Sequence, residues 1–258
     1  MNILLNGSQG YMGREVAKLC KEGFRGASLA IGVDPCGENA DYPSLDNIPS
    51  AEGIDCIIDF SHHGATSALL DFAVRNNLPL VIATTGHTLQ EIEDIKEAAK
   101  KIPLFYSRNM SLGIALLIEL AKTATAAMPD ADIEIIEKHH NRKIDAPSGT
   151  ALMIGDAICE IRPDAYAMVG RNGLGKRDVK EIGIHSIRMG NIVGEHEVII
   201  GTGCQTITLK HEAHTRGLFA EGALAAADFL INQNPGMYEM KDMISSACKT
   251  EDTVISAE

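Results

Sequence analysis

No stretch of this chain stays apolar long enough to cross a bilayer. The longest, Leu112 to Ala121, contains Glu119 and falls well short of the roughly 20 residues a membrane helix needs. The opening Met1-Asn2-Ile3-Leu4-Leu5-Asn6-Gly7 has no basic region ahead of its apolar run, and the run is too short for a signal peptide. Paired cysteines are missing as well. Cys20, Cys36, Cys56, Cys159, Cys204 and Cys248 are scattered, with no Cys-x-x-Cys, which argues against a disulfide framework and a zinc finger and fits reduced thiols in a cytoplasm. Basic residues are scarce: 23 Lys and Arg stand against 35 Asp and Glu, for a net charge of −12. A duplex-DNA binder would show the opposite sign on its contact face, so neither nucleic acid nor a membrane is an expected partner. What is present is ordinary for a folded soluble protein: 45% apolar and 22% charged residues in 258, room for one large domain or two small ones.

The first hundred residues alternate between apolar runs and helical patterns. Asn2 to Asn6, Ser28 to Val33, Asp55 to Asp59, Leu80 to Ala83 and Pro103 to Tyr106 read as strands. Between them, Ala65 to Asn76 has apolar residues at helical spacing, and Thr88-Leu89-Gln90-Glu91 is a capping box opening a helix to about Lys101. Apolar strands alternating with helices predict a doubly wound parallel sheet of Rossmann-like type. After Asn109 the pattern changes. A helix from Leu112 to about Met128, a strand at Ile133 to Ile136 and a helix from about Ser148 precede three strand-like runs, Ile182 to Met189, Ile192 to Ile200 and Gln205 to His211. Gly190-Asn191 and Gly201-Thr202-Gly203 read as hairpin breaks, so a second, α+β domain with a mostly antiparallel sheet is expected. The helix from about Gly217 to Phe229 is expected to return to the first domain. The expected division is therefore 1–109 with 217–258 for a dinucleotide, and 110–216 for substrate and oligomer contacts. Residues 162–181, with Gly170-x-x-Gly173-x-Gly175, read as a mobile loop.

Two segments carry chemistry. Gly7-Ser8-Gln9-Gly10-Tyr11-Met12-Gly13 follows the first strand and opens the first helix. Glycines there permit a tight turn and let a pyrophosphate approach bare backbone amides. Asp34 ends the next strand, where a carboxylate can accept from ribose hydroxyls, and Ala83-Thr84-Thr85-Gly86 adds a small-residue loop on the same edge. The competing reading is a tight turn in some other doubly wound fold. The second segment, Lys138-His139-His140-Asn141-Arg142-Lys143, puts five cationic or titratable basic side chains in six residues. A solvated basic loop is the plain alternative. The sequence that follows, Asp145-Ala146-Pro147-Ser148-Gly149-Thr150, reads as a helix start with Asp145 or Ser148 as cap. Cations beside a helix N-terminus make a carboxylate site. No metal is expected: His139 and His140 would point to opposite faces of a strand, and no third ligand lies at helical spacing. His185, His196, His211 and His214 read as packing or surface residues as readily as functional ones.

With these motifs the chain resembles the 4-hydroxy-tetrahydrodipicolinate reductase family of lysine and diaminopimelate biosynthesis, over nearly its whole length. The most specific match is Glu137 to Ala151, similar to the family's His-His-x-x-Lys-x-Asp-Ala-Pro-Ser-Gly-Thr-Ala. Asp59-Phe60-Ser61, Thr84-Thr85-Gly86, Asn109-Met110-Ser111 with Gly113, and Val193-Gly194-Glu195-His196 are similar too. The resemblance implies reduction of a cyclic imine dicarboxylate by a nicotinamide cofactor. It implies His139 and Lys143 as acid–base residues, and His140, Ser148, Gly149, Thr150 and, by a looser match, Arg216 as substrate contacts. It places Gly7, Ser8, Gln9, Gly10, Tyr11, Met12, Asp34, Ala83, Thr84, Thr85, Ser107, Arg108, Asn109 and Met110 along the cofactor, and it implies a homotetramer. Tyr11 stands where the family commonly has a basic residue, Pro35 where an Arg is frequent, and Ala83 where Gly is. The first two remove positive charge, so NADH is expected to be preferred, with NADPH use left open through Arg14. Another nicotinamide-dependent amino-acid dehydrogenase or a non-catalytic dinucleotide sensor are the alternatives.

Overall fold

Apolar strands alternate with amphipathic helices through β1 (Asn2–Asn6), α1 (Tyr11–Lys21), β2 (Ser28–Val33), β3 (Cys56–Asp59), α2 (Thr66–Arg75), β4 (Leu80–Ile82), α3 (Leu89–Ala99) and β5 (Pro103–Tyr106). There follow α4 (Leu112–Ala127), β6 (Asp132–His139), α5 (Gly149–Ile161), β7 (Tyr166–Val169), β8 (Glu181–Arg188), β9 (Gly194–Gly201) and β10 (Thr206–Ala213). The chain closes with α6 (Gly217–Leu230), β11 (Gly236–Tyr238) and α7 (Met240–Asp252). This computed structural model describes residues 1–36 and 39–252, so the last residues of the expected first domain lie outside it. Two compact units emerge: Met1–Leu112 together with the segment from Gly217, and Gly113–Arg216.

The first unit is built on a parallel sheet in the order β11-β5-β4-β3-β1-β2. Its central strands are buried on both faces, which is why they read as unbroken apolar runs. Leu4, Ile57, Leu80, Ile82 and Leu104 pack with Leu69, Leu70 and Ala73 of α2 and Ile95 and Ala98 of α3. The alternate residues, Ile58, Val81 and Phe105 among them, face the opposite way. On that side Phe105 meets Phe229 of α6 edge-on at 6.5 Å. The Thr88–Glu91 capping box is formed: Thr88 N donates to the Glu91 carboxylate at 2.6 Å and Glu91 N to Thr88 Oγ1 at 3.3 Å. β11, three residues beside β5, is too short to have shown in the sequence pattern.

The second unit corrects three expectations. Its sheet, ordered β10-β9-β6-β8-β7, is mixed rather than mostly antiparallel: β6–β8 and β7–β8 are parallel, β6–β9 and β9–β10 antiparallel. The break at Gly201 to Gly203 is a true hairpin, with Thr202 N bonded to Gln205 O at 2.8 Å. That at Gly190-Asn191 is not, because β8 and β9 flank β6 on either side and never pair with each other. Turn residues mark where a strand stops and not which neighbour it takes. The segment expected to be a mobile loop contains β7 and is fastened to the sheet. Arg171 Nε pairs with Glu181 at 2.8 Å, and Arg177 reaches Asp132 at 2.7 Å and Glu134 at 3.1 Å. One face of the sheet, through Ile133, Ile135, Ile182, Ile184, Val198 and Ile200, packs on Ile114, Leu117 and Ala121 of α4 and Ala151, Ile154 and Ile158 of α5. No helix among the described residues is long and apolar enough to cross a membrane.

Candidate active site

In the first unit, the carboxyl ends of β1, β2, β3 and β4 form one edge. The chain leaves β1 through Gly7, whose φ of +82° favours glycine, and a Cβ there would lie 2.6 Å from Phe60 O. At Gly13 a Cβ would lie 2.1 Å from Gly7 O, so helix α1 approaches the strand only without a side chain there. Gly7 N and Ser8 N close the turn on Val33 O at 2.9 and 3.1 Å. Asp34 then braces the loop: its carboxylate accepts from Gln9 N and from Cys36 N, each at 2.9 Å. α1 has no acidic residue in its first turn and no side-chain cap on Gly10, so the positive end of the helix is left for an outside anion. Tyr11 is exposed and Met12 half-buried in that turn, offering contact area rather than charge.

Behind the edge lies a buried carboxylate. Asp59 accepts from Asn6 Nδ2 at 2.8 Å, Ser61 Oγ at 2.6 Å and Thr84 Oγ1 at 2.6 Å, tying β1, β3 and the loop after β4 together. Burial pushes its pKa up, against the hydrogen bonds from Ser61, Thr84 and Asn6 that hold it down. Thr84 thus faces inward, while Ala83 is half-buried and Thr85 exposed. On the neighbouring loop Ser107 Oγ donates to Asn109 O at 2.8 Å; Met110 is buried and Arg108 exposed. Bare amides, an open helix end and a braced carboxylate fit a dinucleotide's pyrophosphate and ribose.

In the second unit the decisive side chain is one to which the sequence reading gave no role. Glu137, on β6, is fully buried. Arg188 of β8 clamps it from both guanidinium arms, Nη1 to Oε2 at 2.8 Å and Nη2 to Oε1 at 2.6 Å. Ser148 N donates to Oε1 at 3.1 Å, and His139 Nδ1 to Oε2 at 2.6 Å. Burial alone would raise the Glu137 pKa, but the bonds from Arg188, His139, Ser186 and Ser148 bring it down to about 2. An anionic Glu137 keeps the His139 proton on Nδ1 and leaves Nε2 as the atom that exchanges one. The His139 pKa is lowered, first by burial, with Glu137 opposing and the charges of Lys143 and Arg188 adding to the drop. A second buried imidazole, His196, stands 5.3 Å away edge-on. Its Nε2 lies 3.1 Å from Ser148 Oγ, and burial brings its pKa down to about 4.

The basic segment divides in two. Lys138 points to the open face of the sheet and pairs with Glu195 at 2.9 Å, away from His139. Lys143, on the turn after β6, pairs with Asp145 at 2.8 Å. His140 Nδ1 is buried without a hydrogen-bond partner. The His140 pKa is lowered by burial and then by the charges of Arg142, Arg216, Lys143 and Arg188. Ser148 is the N-cap of α5, accepting from Ala151 N at 3.2 Å. Its hydroxyl, bonded to the helix and to His196, supports the site from beneath. Gly149 is exposed with open space around it, and Thr150 is half-buried.

Comparison with known proteins bears on both units. Residues 1–110 match the dihydrodipicolinate reductase N-terminus model, and residues 113–244 match its C-terminus model. The chain belongs to the dihydrodipicolinate reductase family. The 4-hydroxy-tetrahydrodipicolinate reductase of Clostridium novyi (strain NT) is 44% identical over 248 residues, covering 95% of this chain and 98% of that one. The enzyme of that name from Caldanaerobacter subterraneus subsp. tengcongensis is 46% identical over 247 residues, with 95% and 98% covered. Among solved structures, the dipicolinate-bound dihydrodipicolinate reductase from Paenisporosarcina sp. TG-14 shares the fold, with a TM-score of 0.74, 24% identity and 93% and 97% of the two chains covered.

Glu137 and His196 were visible in principle. Both fall in phase with buried residues of their strands, Ile133 and Ile135 on β6, Val198 and Ile200 on β9. A charged or titratable residue in an inward register demands a partner. Arg188, at the end of a strand, carried no such mark.

His196 makes stability depend on pH with a definite sign. Its folded pKa, about 4, lies below its ordinary value of 6.5. The unfolded chain therefore binds the proton first, and stability falls as pH drops from about 6.5 towards 4. On this account alone the protein loses about 2 kcal/mol between pH 7 and pH 5. Urea unfolding at the two pH values should show that loss, and His196→Gln should reduce it; an unchanged difference would contradict the assignment. Glu137 contributes at lower pH, its stabilisation disappearing as pH falls from about 4.5 towards 2.

Proposed function

We propose that this chain reduces 4-hydroxy-tetrahydrodipicolinate, through its dehydrated cyclic imine, to tetrahydrodipicolinate with NAD(P)H, in lysine and diaminopimelate biosynthesis. The observation that carries the reading is His139 held by Glu137 on the strand that leads into Lys143 and the start of α5. A nicotinamide dinucleotide at the first unit's glycine loop supplies the hydride. Gly7 to Met12, Asp34, Ala83 to Thr85 and Ser107 to Met110 would hold it. In the second unit His140, Gly149, Thr150 and Arg216 hold the dicarboxylate, with Ser148 shaping the helix end. Reduction leaves an electron pair on the ring that must take up a proton. His139, charged and fixed through Nδ1, delivers it from Nε2, and Lys143 balances a carboxylate beside it.

The test adds the purified protein to a dihydrodipicolinate synthase reaction and follows nicotinamide absorbance. Turnover is expected; cofactor binding without it would instead mark a dinucleotide sensor. His139→Gln should lower turnover by roughly 10² to 10⁴ while cofactor binding persists. Lys143→Ala should lower turnover and also weaken binding of dipicolinate, the ligand named for the Paenisporosarcina relative. A His139→Gln enzyme of near-normal rate would remove that residue from the mechanism.

The cofactor choice follows from charge at the loop. Asp34 repels a 2′-phosphate, and Pro35 brings neither charge nor an N–H. Arg14 donates to the Gln9 carbonyl, beside the amide that Asp34 holds, and is the one nearby cation on the loop's own helix. A charge-assisted hydrogen bond is worth roughly 1.5 to 3 kcal/mol, so NADH should be favoured about tenfold or more in kcat/KM. A clear NADPH preference would overturn this.

The scattered cysteines fit a reduced cytoplasm, as do the free thiols of Cys20, Cys36, Cys56, Cys159 and Cys204. We infer a homotetramer joined through the second unit's sheet. Ile184, Val198 and Ile200 lie under α4 and α5, on the covered face. Ile187 remains exposed, and Ile136 and Ile199 half-exposed, on the other face of that sheet. Burying them in a subunit contact is favourable. Light scattering at micromolar concentration should give the tetramer mass, and a monomer mass would refute the assembly.

A further inference from the structure

We propose that Asp145 is a resident occupant of the substrate-carboxylate site, a carboxylate of the chain itself that a substrate carboxylate must displace. The inference rests on the reading of Lys143 and the start of α5 as the groups that bind such a carboxylate. The Asp145 carboxylate pairs with Lys143 Nζ at 2.8 Å. Hydrogen bonding to Lys143, with lesser contributions from its own backbone and from the Gly149 amide, overcomes burial and holds its pKa below the usual range. One intramolecular carboxylate, four residues before the start of α5, thus occupies the Lys143 ammonium.

Three features make this arrangement displaceable. Asp145 is 55% exposed in its side chain, whereas Lys143 is 23% exposed, so the carboxylate is the more solvent-accessible partner of the pair. The turn's backbone is fastened independently of that side chain. Arg188 Nη2 donates to Asp145 O at 2.6 Å, Lys143 N to His140 O at 3.1 Å, and Ser148 N to Glu137 at 3.1 Å. The helix does not need Asp145 as its cap, because Ser148 already fills that place. Rotation of one side chain therefore opens the ammonium with the backbone unmoved.

The electrostatic logic is exchange. The charges of Arg142, Arg216, Lys143 and Arg188 all act on His140, and Glu137 is engaged by Arg188 and His139. Without Asp145 the Lys143 ammonium would repel its cationic neighbours or take up adventitious anions. With it, the site rests in a paired state, and an incoming carboxylate replaces one ion pair with another. Because the displaced group is tethered, its effective concentration is high, and ligand affinity is reduced by the fraction of time it occupies the site.

The experiment uses the full-length chain and dipicolinate as the probe, with calorimetric titration of wild type, Asp145→Asn and Asp145→Glu. Circular dichroism confirms that each is folded. Asp145→Asn should bind dipicolinate about two- to fivefold more tightly than wild type, because an exposed ion pair of modest strength no longer competes. In turnover it should lower KM with a smaller change in kcat, and Asp145→Glu should bind more weakly than Asp145→Asn. Equal or weaker binding by Asp145→Asn overturns the proposal and makes Asp145 a support for Lys143. Absence of turnover in wild type would refute the reductase reading separately. If neither protein bound dipicolinate, the carboxylate site itself would fall, and this proposal with it.

Discussion

Glu137 has no exposure to water, yet it is charged, and the second unit is organised around keeping it so. An unpaired carboxylate in that position would cost several kcal/mol. Donors from three elements meet it instead: the Arg188 guanidinium from β8, the His139 imidazole from β6 itself, and the Ser148 amide at the mouth of α5. The same four hydrogen bonds that make the charge tolerable set the tautomer of His139 and the position of the α5 N-terminus. Stability and site geometry are one constraint here, and loss of any donor disturbs both.

The two units solve related problems by different means. In the first, α1 presents its N-terminus with no acidic residue in the first turn and no side-chain cap, and only backbone lines the approach at Gly7 and Gly13. In the second, α5 is capped by Ser148, and a cationic turn stands before it. A buried carboxylate braces each: Asp59 ties the loops of the parallel sheet together, as Glu137 ties the turn and helix of the mixed one. Asp59 has no cation among its hydrogen-bonded partners, and burial drives its pKa up; Glu137 has Arg188, and its pKa falls to about 2. Paired charge, rather than burial alone, decides the difference.

Where sequence reading succeeded, the information was local. Glycines at 7, 10 and 13 after an apolar run, the Thr88–Glu91 box and Ser148 before Gly149 all act within a few residues of themselves, and each sits as the pattern indicates. Where it failed, the deciding contact was distant. The hairpin reading at Gly190-Asn191 assumed that neighbours in sequence pair in space, but β6 lies between β8 and β9. The glycines of residues 170–175 suggested mobility, but Arg171 and Arg177 anchor that segment to Glu181, Asp132 and Glu134.

The sequence by itself determined the order of elements, the glycine turn that only a bare backbone can make, and the grouping of cations before a helix start. Those depend on steric limits and on charges placed next to one another along the chain. Only the tertiary structure decided which cations share a site, for Lys138 leaves for the open face while Arg188, fifty residues on by count, arrives beside His139. It alone made Glu137 a clamp and His196 a buried neutral neighbour. A strand fixes which face a side chain takes, whereas its partner comes from whichever strand the sheet sets alongside.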